Sequence, residues 1–345
     1  MNSNGSRYSA MYSRLFIALV FSVLMWQLVV PEFSLETIPD EYRWRETLVT
    51  LYMRYKYTAG DRVFPNAVIG REGWFFFTGD TGIHGYQKTY PLNFSNVKKM
   101  NALLAQIGEA AEKNGGTFLV MVAPDKSTIY HQYMPVQIPV IGEESSADRY
   151  FENLMGLDPS TVLDLRPALM SASGQSQVYY KTDSHWNCEG ALIAYREVAF
   201  NLAEIDPRVY VYDRGDFEFL VSQDTVLDIS KMMKLEVMEG AVEAVPAFPV
   251  QSVIETRQLL QADSSMKIVS NPGQDLPRLM IFHDSFYPTC FENFIHPTFG
   301  VTMSVPYQDV KLPELLGLIE TEKPDFVVVE FIERNFEFFL RHFVD

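Results

Sequence analysis

The chain has 345 residues and a mass of 39.5 kDa, with 47% hydrophobic and 21% charged residues. This balance is typical of one large packed domain and excludes disordered, collagen-like and coiled-coil proteins. Lys and Arg number 28 against 44 Asp and Glu, and a net charge of −16 disfavours nucleic acid as a partner. Two cysteines without a C-x-x-C pair indicate neither a disulfide scaffold nor a cysteine zinc site.

An apolar segment lies close to the N-terminus. Residues 15–30 carry no charge, and Arg7 and Arg14 precede them. A basic stretch followed by an apolar one is typical of export signals, and no small-x-small cleavage motif follows before Pro31. We therefore predict a signal anchor over residues 1–31 that keeps the chain on the cell membrane as a single-pass protein, with its body periplasmic or extracellular. A cleaved signal peptide and a buried core helix remain alternatives.

After a polar connector at residues 32–67, short apolar runs alternate with helical patterns. This alternation predicts an α/β domain with a largely parallel sheet over residues 68–345. We expect a strand at 74–77, a helix at 96–114, strands at 118–122 and 162–165, and a helix at 186–205 that Asn187 caps.

Residues 206–276 interrupt this pattern with short β-like pieces at 217–221, 252–259 and 267–269. We interpret them as a β-rich insertion on one edge of the sheet. The alternation then returns with strands at 279–283 and 301–305, a helix at 313–323 and a last strand at 326–331. The whole pattern predicts a three-layer sandwich.

Two short strings carry candidate chemistry. Asp183 and His185 stand two residues apart in a non-helical stretch, where side chains at i and i+2 project to the same side. The carboxylate can then accept from one imidazole nitrogen and leave the other free as a base. Ser285 follows the predicted strand 279–283, at the end of a parallel strand where α/β proteins place their sites. Because a serine hydroxyl needs a base to become a good nucleophile, the three residues form a candidate catalytic group.

Each string alone has a simpler interpretation. A serine after a strand is often a helix cap, and an Asp-x-His pair can be a surface loop or part of a metal site. The other histidines lack ligand spacing, so we expect no metal ion and no cofactor.

Several longer strings occur in a fixed order: GREGWFF at 70–76, APDKS at 123–127, YKTDSHWN at 180–187 with Gly190-Ala191, DSF at 284–286, and Glu330 with Glu333-Arg334. In this order they resemble alginate O-acetyltransferases, SGNH-hydrolase-like proteins that acetylate exported bacterial polysaccharides. The resemblance covers residues 68–336. It implies an SGNH-like fold with Ser285 as nucleophile, His185 as base and Asp183 as its orienting partner. One departure is His283, which stands where the family often has a glycine.

The resemblance implies transfer of an acetyl group through an acetyl-serine to hydroxyls of an exported polysaccharide, with a membrane-bound O-acyltransferase as acetyl donor. An esterase or deacetylase that uses water, and a non-catalytic polysaccharide-binding assembly protein, are the alternatives. Candidate substrate-contacting residues, each with a structural role as alternative, are Trp186, Tyr180, Lys126, Arg334 and Asn335. If the catalytic group forms, Cys188 and Cys290 lie near it and form either one disulfide or two buried thiols.

Overall fold

The structure is a computed structural model that describes residues 43–259 and 265–344, together with positions 14, 15, 17, 18 and 22. Apart from those single positions, the predicted signal anchor at 1–31 lies outside the described residues. Among the described residues, no helix is long and apolar enough to cross a membrane.

The strands are β1 (Val63–Phe64), β2 (Ala67–Ile69), β3 (Phe75–Phe77), β4 (Thr117–Ala123), β5 (Val162–Asp164), β6 (Phe217–Val226), β7 (Met238–Pro246), β8 (Val253–Gln258), β9 (Ser265–Ser270), β10 (Arg278–His283), β11 (Val301–Pro306) and β12 (Phe326–Ile332). The helices are α1 (Arg43–Thr58), α2 (Gly82–Gln87), α3 (Phe94–Lys113), α4 (Lys126–Ile129), α5 (Ser146–Glu152), α6 (Arg166–Ser173), α7 (Cys188–Ile205), α8 (Asp228–Met232), α9 (Glu292–Thr298), α10 (Leu312–Glu322) and α11 (Phe336–Val344).

The central sheet has seven strands in the order β5-β4-β12-β10-β11-β9-β8. The first five of these are parallel to one another, and β9 and β8 pair antiparallel at one edge. The largely parallel sheet predicted from the sequence is therefore confirmed. Its central strands are mostly apolar because helices cover both faces, with Glu330 in β12 and His283 at the end of β10 as buried exceptions.

Alternation along each central strand divides its side chains between two apolar cores. In β10, Leu279 and Ile281 face a core formed with α6, α7 and α9, while Met280 and Phe282 face a core formed with α3, α10 and α11. The period of two in a strand produces this division. The result is a sheet between two helical layers, with α7 starting at the Asn187 cap, whose side chain accepts from the N–H of Gly190 at 3.1 Å.

The first predicted strand does not join the central sheet. β3 pairs with β2, and β2 with β1, in a small antiparallel sheet of its own. This sheet packs against α8 and α1 in a third apolar cluster that includes Phe75, Ile229 and Met53. The predicted connector at 32–67 accordingly contains regular elements, α1 and β1, that help to cover this cluster.

The structure divides residues 206–276 between two sheets. β6 and β7 form a separate two-stranded ribbon, whereas β8 and β9 are the antiparallel edge of the central sheet. The sequence analysis treated the whole segment as one insertion; only the part up to Pro246 stands apart from the main sheet.

Candidate active site

Ser285 lies directly after β10, at the carboxyl end of a strand that is paired on both sides. Its side chain is exposed while Asp284 and Phe286 beside it are buried. The Asp284 carboxylate fixes this turn: Oδ1 accepts from the N–H of Phe286 and Oδ2 from the N–H of Ile332, both at 2.9 Å. The serine hydroxyl is therefore held at the surface by a turn whose flanking residues are anchored in the sheet.

The structure brings Asp183, His185 and Ser285 together as the sequence predicted. His185 Nε2 lies 2.8 Å from Ser285 Oγ, and His185 Nδ1 lies 2.7 Å from Asp183 Oδ1. The side chains of His185 and Asp183 are only 14% and 13% exposed. Burial by itself would raise the pKa of Asp183, but the hydrogen bonds and charge of His185 lower it well below its usual range. An ionised Asp183 holds the proton on Nδ1 and leaves Nε2 free to accept from the serine.

A second carboxylate, Asp228 at the start of α8, completes the surroundings of the imidazole. Its N–H donates to Asp183 Oδ2 at 3.1 Å, and its Oδ1 accepts from the N–H of Ser184 at 2.7 Å. Its Oδ2 lies 3.5 Å from His185 Nδ1. Burial and the neighbouring Asp183 charge both raise the pKa of Asp228. The sequence analysis missed this residue, since its one local signal, an acidic residue at the start of a short helix, indicates an ordinary helix terminus.

Asp183, His185 and Asp228 each offer a ligand atom within 4.8 Å of the others, a spacing that one cation could bridge. Their hydrogen bonds already account for the cluster, because Nδ1 and two backbone N–H groups occupy the Asp183 carboxylate and Nε2 is directed at Ser285. The expectation of no metal ion stays a prediction.

Lys126, predicted to contact substrate, is instead buried beneath the histidine loop. Its Nζ donates to the carbonyl oxygens of Tyr180 at 3.1 Å and Lys181 at 3.0 Å, and also to that of Asp183. Burial lowers the pKa of Lys126 to about 8, against the opposing attraction of Asp228 and Asp183. Its role in the structure is to hold the loop that carries His185.

Trp186 and Tyr180, also predicted to contact substrate, have structural places. The indole of Trp186 is fully buried and donates to the carbonyl oxygens of Phe286 at 3.1 Å and Thr289 at 2.9 Å. No face of this ring is open to a sugar, so the packing alternative describes it. The Tyr180 hydroxyl donates to the Val242 carbonyl and accepts from the Val242 N–H, which ties the histidine loop to β7.

Arg334 and Asn335 follow β12 in a short turn at the same edge of the sheet. Arg334 forms an ion pair with Asp125, and its guanidinium lies 4.9 Å from the Phe77 ring and 6.0 Å from the Phe286 ring. Asn335 is half-buried. Of the five predicted substrate contacts, these two remain open to that role.

The two cysteines are joined in the structure. Cys188 and Cys290 form a disulfide with a Cα–Cα distance of 5.2 Å across 102 residues of chain. The bond links the first residue of α7, just after the histidine, to the turn that follows Ser285. Cys290 has a left-handed backbone with φ of 66°, which is uncommon for a non-glycine residue.

His283, which departs from the family pattern, is buried at the end of β10, just before the Ser285 turn. Its Nδ1 lies 2.7 Å from the Asp284 carbonyl oxygen, and its ring packs on that of Tyr287 with a centroid distance of 4.4 Å. Burial lowers the pKa of His283 to about 4, so the side chain is neutral at physiological pH.

Parts of the chain are similar in sequence to known proteins. Residues 67–262 match the family model described as SGNH hydrolase-like domain, acetyltransferase AlgX. A protein of Pseudomonas syringae pv. tomato named probable alginate O-acetylase AlgJ is 25% identical over 147 residues, covering 41% of this chain and 35% of the relative. A Pseudomonas putida protein of the same name is 22% identical over 157 residues, covering 44% and 39%. The matches thus span well under half the length of these relatives.

Solved structures share the fold. Bacillus cereus PatB1 with a sulfonyl adduct has a TM-score of 0.59 at 15% identity, covering 79% of this chain and 96% of that one. A DHHW family protein from Eubacterium siraeum has a TM-score of 0.58 at 14% identity, covering 81% and 99%. The O-acetyltransferase domain of Pseudomonas putida AlgJ has a TM-score of 0.52 at 15% identity, covering 79% and 92%. At such identities the likeness concerns the fold alone.

Proposed function

Because this chain belongs to the family of SGNH hydrolase-like acetyltransferase AlgX domains, we propose that it is an O-acetyltransferase that works through an acetyl-serine on Ser285. The observation that carries the proposal is the continuous hydrogen-bonded series from Asp183 through His185 to Ser285. The names of the AlgJ relatives support O-acetylation as its reaction.

The first half-reaction forms the acetyl-enzyme. His185 Nε2 takes the proton of Ser285 as Oγ attacks the carbonyl carbon of an activated acetyl donor, an ester or thioester. The donor's leaving heteroatom then takes that proton from Nε2, and the acetyl group stays on Oγ as an ester. Asp183 stabilises the imidazolium between these two steps. The backbone N–H of Ser285 is our candidate for one donor to the oxyanion.

The second half-reaction transfers the acetyl group. A sugar hydroxyl gives its proton to His185 Nε2 and attacks the acetyl carbonyl, and the serine oxygen leaves and recovers that proton. The enzyme returns to its starting state, and one ester bond has been exchanged for another. Water in place of the sugar would make the same site an esterase.

The acceptor and donor in this proposal are an exported polysaccharide and a membrane-bound O-acyltransferase that supplies the acetyl group. Two observations support a location outside the cytoplasm. The Cys188–Cys290 disulfide suits an oxidising compartment. The basic and then apolar N-terminal sequence is typical of an exported, membrane-anchored chain.

Intact-protein mass spectrometry tests the proposal directly. The full chain is mixed with p-nitrophenyl acetate, and the acetyl adduct is followed in the wild type and in Ser285→Ala. We expect an adduct on the wild type only, discharged faster by oligosaccharides than by buffer. Discharge at the same rate with and without sugar would establish the esterase instead. An adduct on neither protein, with both folded, would overturn the catalytic assignment and favour the binding protein.

A further inference from the structure

A cavity of about 190 Å³ opens at the carboxyl end of the central sheet, beside the catalytic group but not part of it. We call it the Arg334 cavity; the lining residues used below are His84, Tyr90, Asp125, Glu333, Arg334 and Glu337. Ligands of open α/β sheets bind outside the carboxyl ends of the strands, which is where this cavity lies. It is smaller than the ~300 Å³ at which pockets for drug-sized ligands begin, so it suits one small unit of a larger molecule.

The wall between this cavity and the catalytic loops is the Asp125–Arg334 ion pair. Both residues also border a second, much smaller hollow that Ser184 and Lys126 line on the histidine side. On the serine side, the Arg334 guanidinium lies 6.0 Å from the ring of Phe286, the residue after the nucleophile. Arg334 therefore lies between the cavity and a neighbour of each half of the catalytic group: Phe286, which follows Ser285, and Ser184, which precedes His185.

Two polar atoms of residues that line the cavity lack hydrogen-bond partners. Glu333 Oε2 and Arg334 Nε are buried and make no hydrogen bond within the described part of the chain. The Arg334 side chain is only 9% exposed. Unpaired buried polar groups are costly, and both atoms belong to side chains that line the cavity. Burial, and then repulsion from Asp125, raises the pKa of Glu333, which favours a carboxyl group able both to donate and to accept.

The mouth of the cavity carries an exposed aromatic ring. Tyr90 is 73% exposed and meets the His84 ring edge-on, with 4.8 Å between the ring centroids. An exposed tyrosine beside a polar hollow offers an apolar face next to hydrogen-bonding groups. That combination matches a sugar ring, which has an apolar C–H face and a rim of hydroxyls.

The charges of the lining indicate which sugar fits. Asp125, Glu333 and Glu337 line the cavity; Asp125 is paired with Arg334, and the raised pKa of Glu333 favours its neutral form, so the repulsion comes from Glu337. A uronate carboxylate would be repelled here without a free cation to receive it. The whole chain, with its net charge of −16, adds to that repulsion.

From these contacts we infer that the Arg334 cavity is the acceptor subsite, and that it binds an uncharged sugar unit of the polysaccharide rather than a uronate. That the bound sugar is the acceptor rests on the proposed function, whereas sugar binding itself does not depend on acetyl transfer. Tyr90 stacks on the sugar, and Glu333 and Arg334 bond its hydroxyls. The remainder of the polymer stays outside.

Isothermal titration calorimetry on full-length Ser285→Ala measures binding without turnover. The ligands are neutral tetrasaccharides (cello-, manno-, xylo- and chito-oligomers) and the mannuronate and galacturonate tetramers. We expect at least one neutral tetrasaccharide to bind at least tenfold more tightly than either uronate. Tighter binding of a uronate than of every neutral ligand, or no binding of any neutral ligand, overturns the inference.

Substitutions then locate the binding. In the Ser285→Ala background, Tyr90→Ala should weaken the neutral ligand at least fivefold. Tyr210→Ala should not, although Tyr210 is also an exposed tyrosine in an edge-on aromatic pair. Glu333→Ala should weaken binding and Glu333→Gln should restore most of it, because an amide also donates and accepts. Unchanged affinity in Tyr90→Ala would place the ligand elsewhere and overturn the assignment.

Separate measurements distinguish the two proposals. If wild-type protein never forms an acetyl adduct but Ser285→Ala binds neutral sugar through Tyr90, the transferase proposal fails and the subsite stands. If the adduct forms and is discharged by sugar while Tyr90→Ala binds and discharges as the wild type does, the subsite fails and the transferase stands.

Discussion

Ser285 and His185 meet from two regions that are held in place by different means. The serine side, residues 283–291, continues a strand that pairs with β11 and β12. The histidine side, residues 180–188, is an irregular loop held mainly by side chains: Lys126 binds three of its carbonyl oxygens, and Asp228 binds the N–H of Ser184. A backbone bond from the Phe75 N–H to the Lys181 carbonyl adds to them. Strand pairing carries the Ser285 turn, with one buried carboxylate to fix it, whereas buried charges from other elements hold the His185 loop.

Two buried acids, one on each side, have pKa values that are shifted in opposite directions. On the histidine side Asp183 accepts from the His185 ring, the His185 N–H and the Asp228 N–H, and these donors hold its pKa low. On the serine side Glu330 accepts one N–H, that of Asp284, and burial followed by the Asp284 charge raises its pKa well above the usual range. Hydrogen bonds and the charge of His185 thus favour the ionised form of Asp183 despite its burial, whereas burial and the Asp284 charge favour the neutral form of Glu330. Apart from Ser285 itself, we therefore expect substitutions on the histidine side to change rate most, and those on the serine side to change stability.

The largest effect should come from Asp183→Asn. The amide cannot stabilise the imidazolium or hold the Nδ1 proton, so formation of the acetyl-enzyme should slow by about 10³–10⁴-fold. Asp228→Asn should slow formation of the acetyl-enzyme only about tenfold. The Asp228 carboxylate lies 3.5 Å from His185 Nδ1 and also holds the loop, so its loss would displace the imidazole ring slightly. The rate of adduct formation by mass spectrometry measures both, with Asp275→Asn, 97% exposed, as control. Equal losses at Asp183 and Asp228 would show that we have assigned the orienting role to the wrong acid.

The second-largest effect should come from removal of the disulfide, which joins the two sides and whose loss should lower the free energy of unfolding. The Cys188–Cys290 bond closes 102 residues of chain, and loss of a native disulfide costs about 2–5 kcal/mol. Urea unfolding with and without dithiothreitol measures this cost. A Cys188→Ala/Cys290→Ala double variant is the control, because it should be less stable from the start and insensitive to the reductant. If the reductant destabilises that variant equally, the effect does not come from this bond.

The sequence predicts the central sheet well and the small sheet poorly. Strands such as β4 and β10 are built around continuous apolar runs, at 118–123 and 279–282, and the structure confirms the predicted strands to within about one residue at each end. β1 and β2 have two and three residues, too short for a periodic pattern, so nothing in the sequence indicates that β3 pairs with them. The β8–β9 pair could not be assigned to the main sheet for a similar reason: its pairing with β11 is a tertiary contact.

The same distinction applies to the site. Asp183, His185 and Ser285 were found from local strings whose chemistry can be inferred from two or three residues. Asp228 lies 45 residues from Asp183, and Lys126 lies 54 to 57 residues from the carbonyl groups that it binds, so neither role has a local pattern. For Trp186 the sequence left sugar stacking and packing as alternatives, because residue type alone does not reveal burial.

The smallest of the three effects is a loss of stability at acid pH that comes from His283 on the serine side. His283 has a pKa lowered by burial from 6.5 to about 4, so between these values the unfolded chain binds a proton that the folded chain does not. The contribution of His283 to stability is therefore complete above pH 6.5 and is lost as pH falls towards 4, by about 2 kcal/mol at pH 5. Free energies of unfolding in urea at pH 8 and pH 5 measure the loss.

His283→Gln should show a correspondingly smaller difference between the two pH values, and His131→Gln, at an exposed position, should match the wild type. His296, also buried with a pKa lowered to about 4, keeps part of the acid sensitivity in every variant. Equal losses in His283→Gln and the wild type would mean that the turn before the nucleophile opens readily enough to protonate His283 in the folded protein.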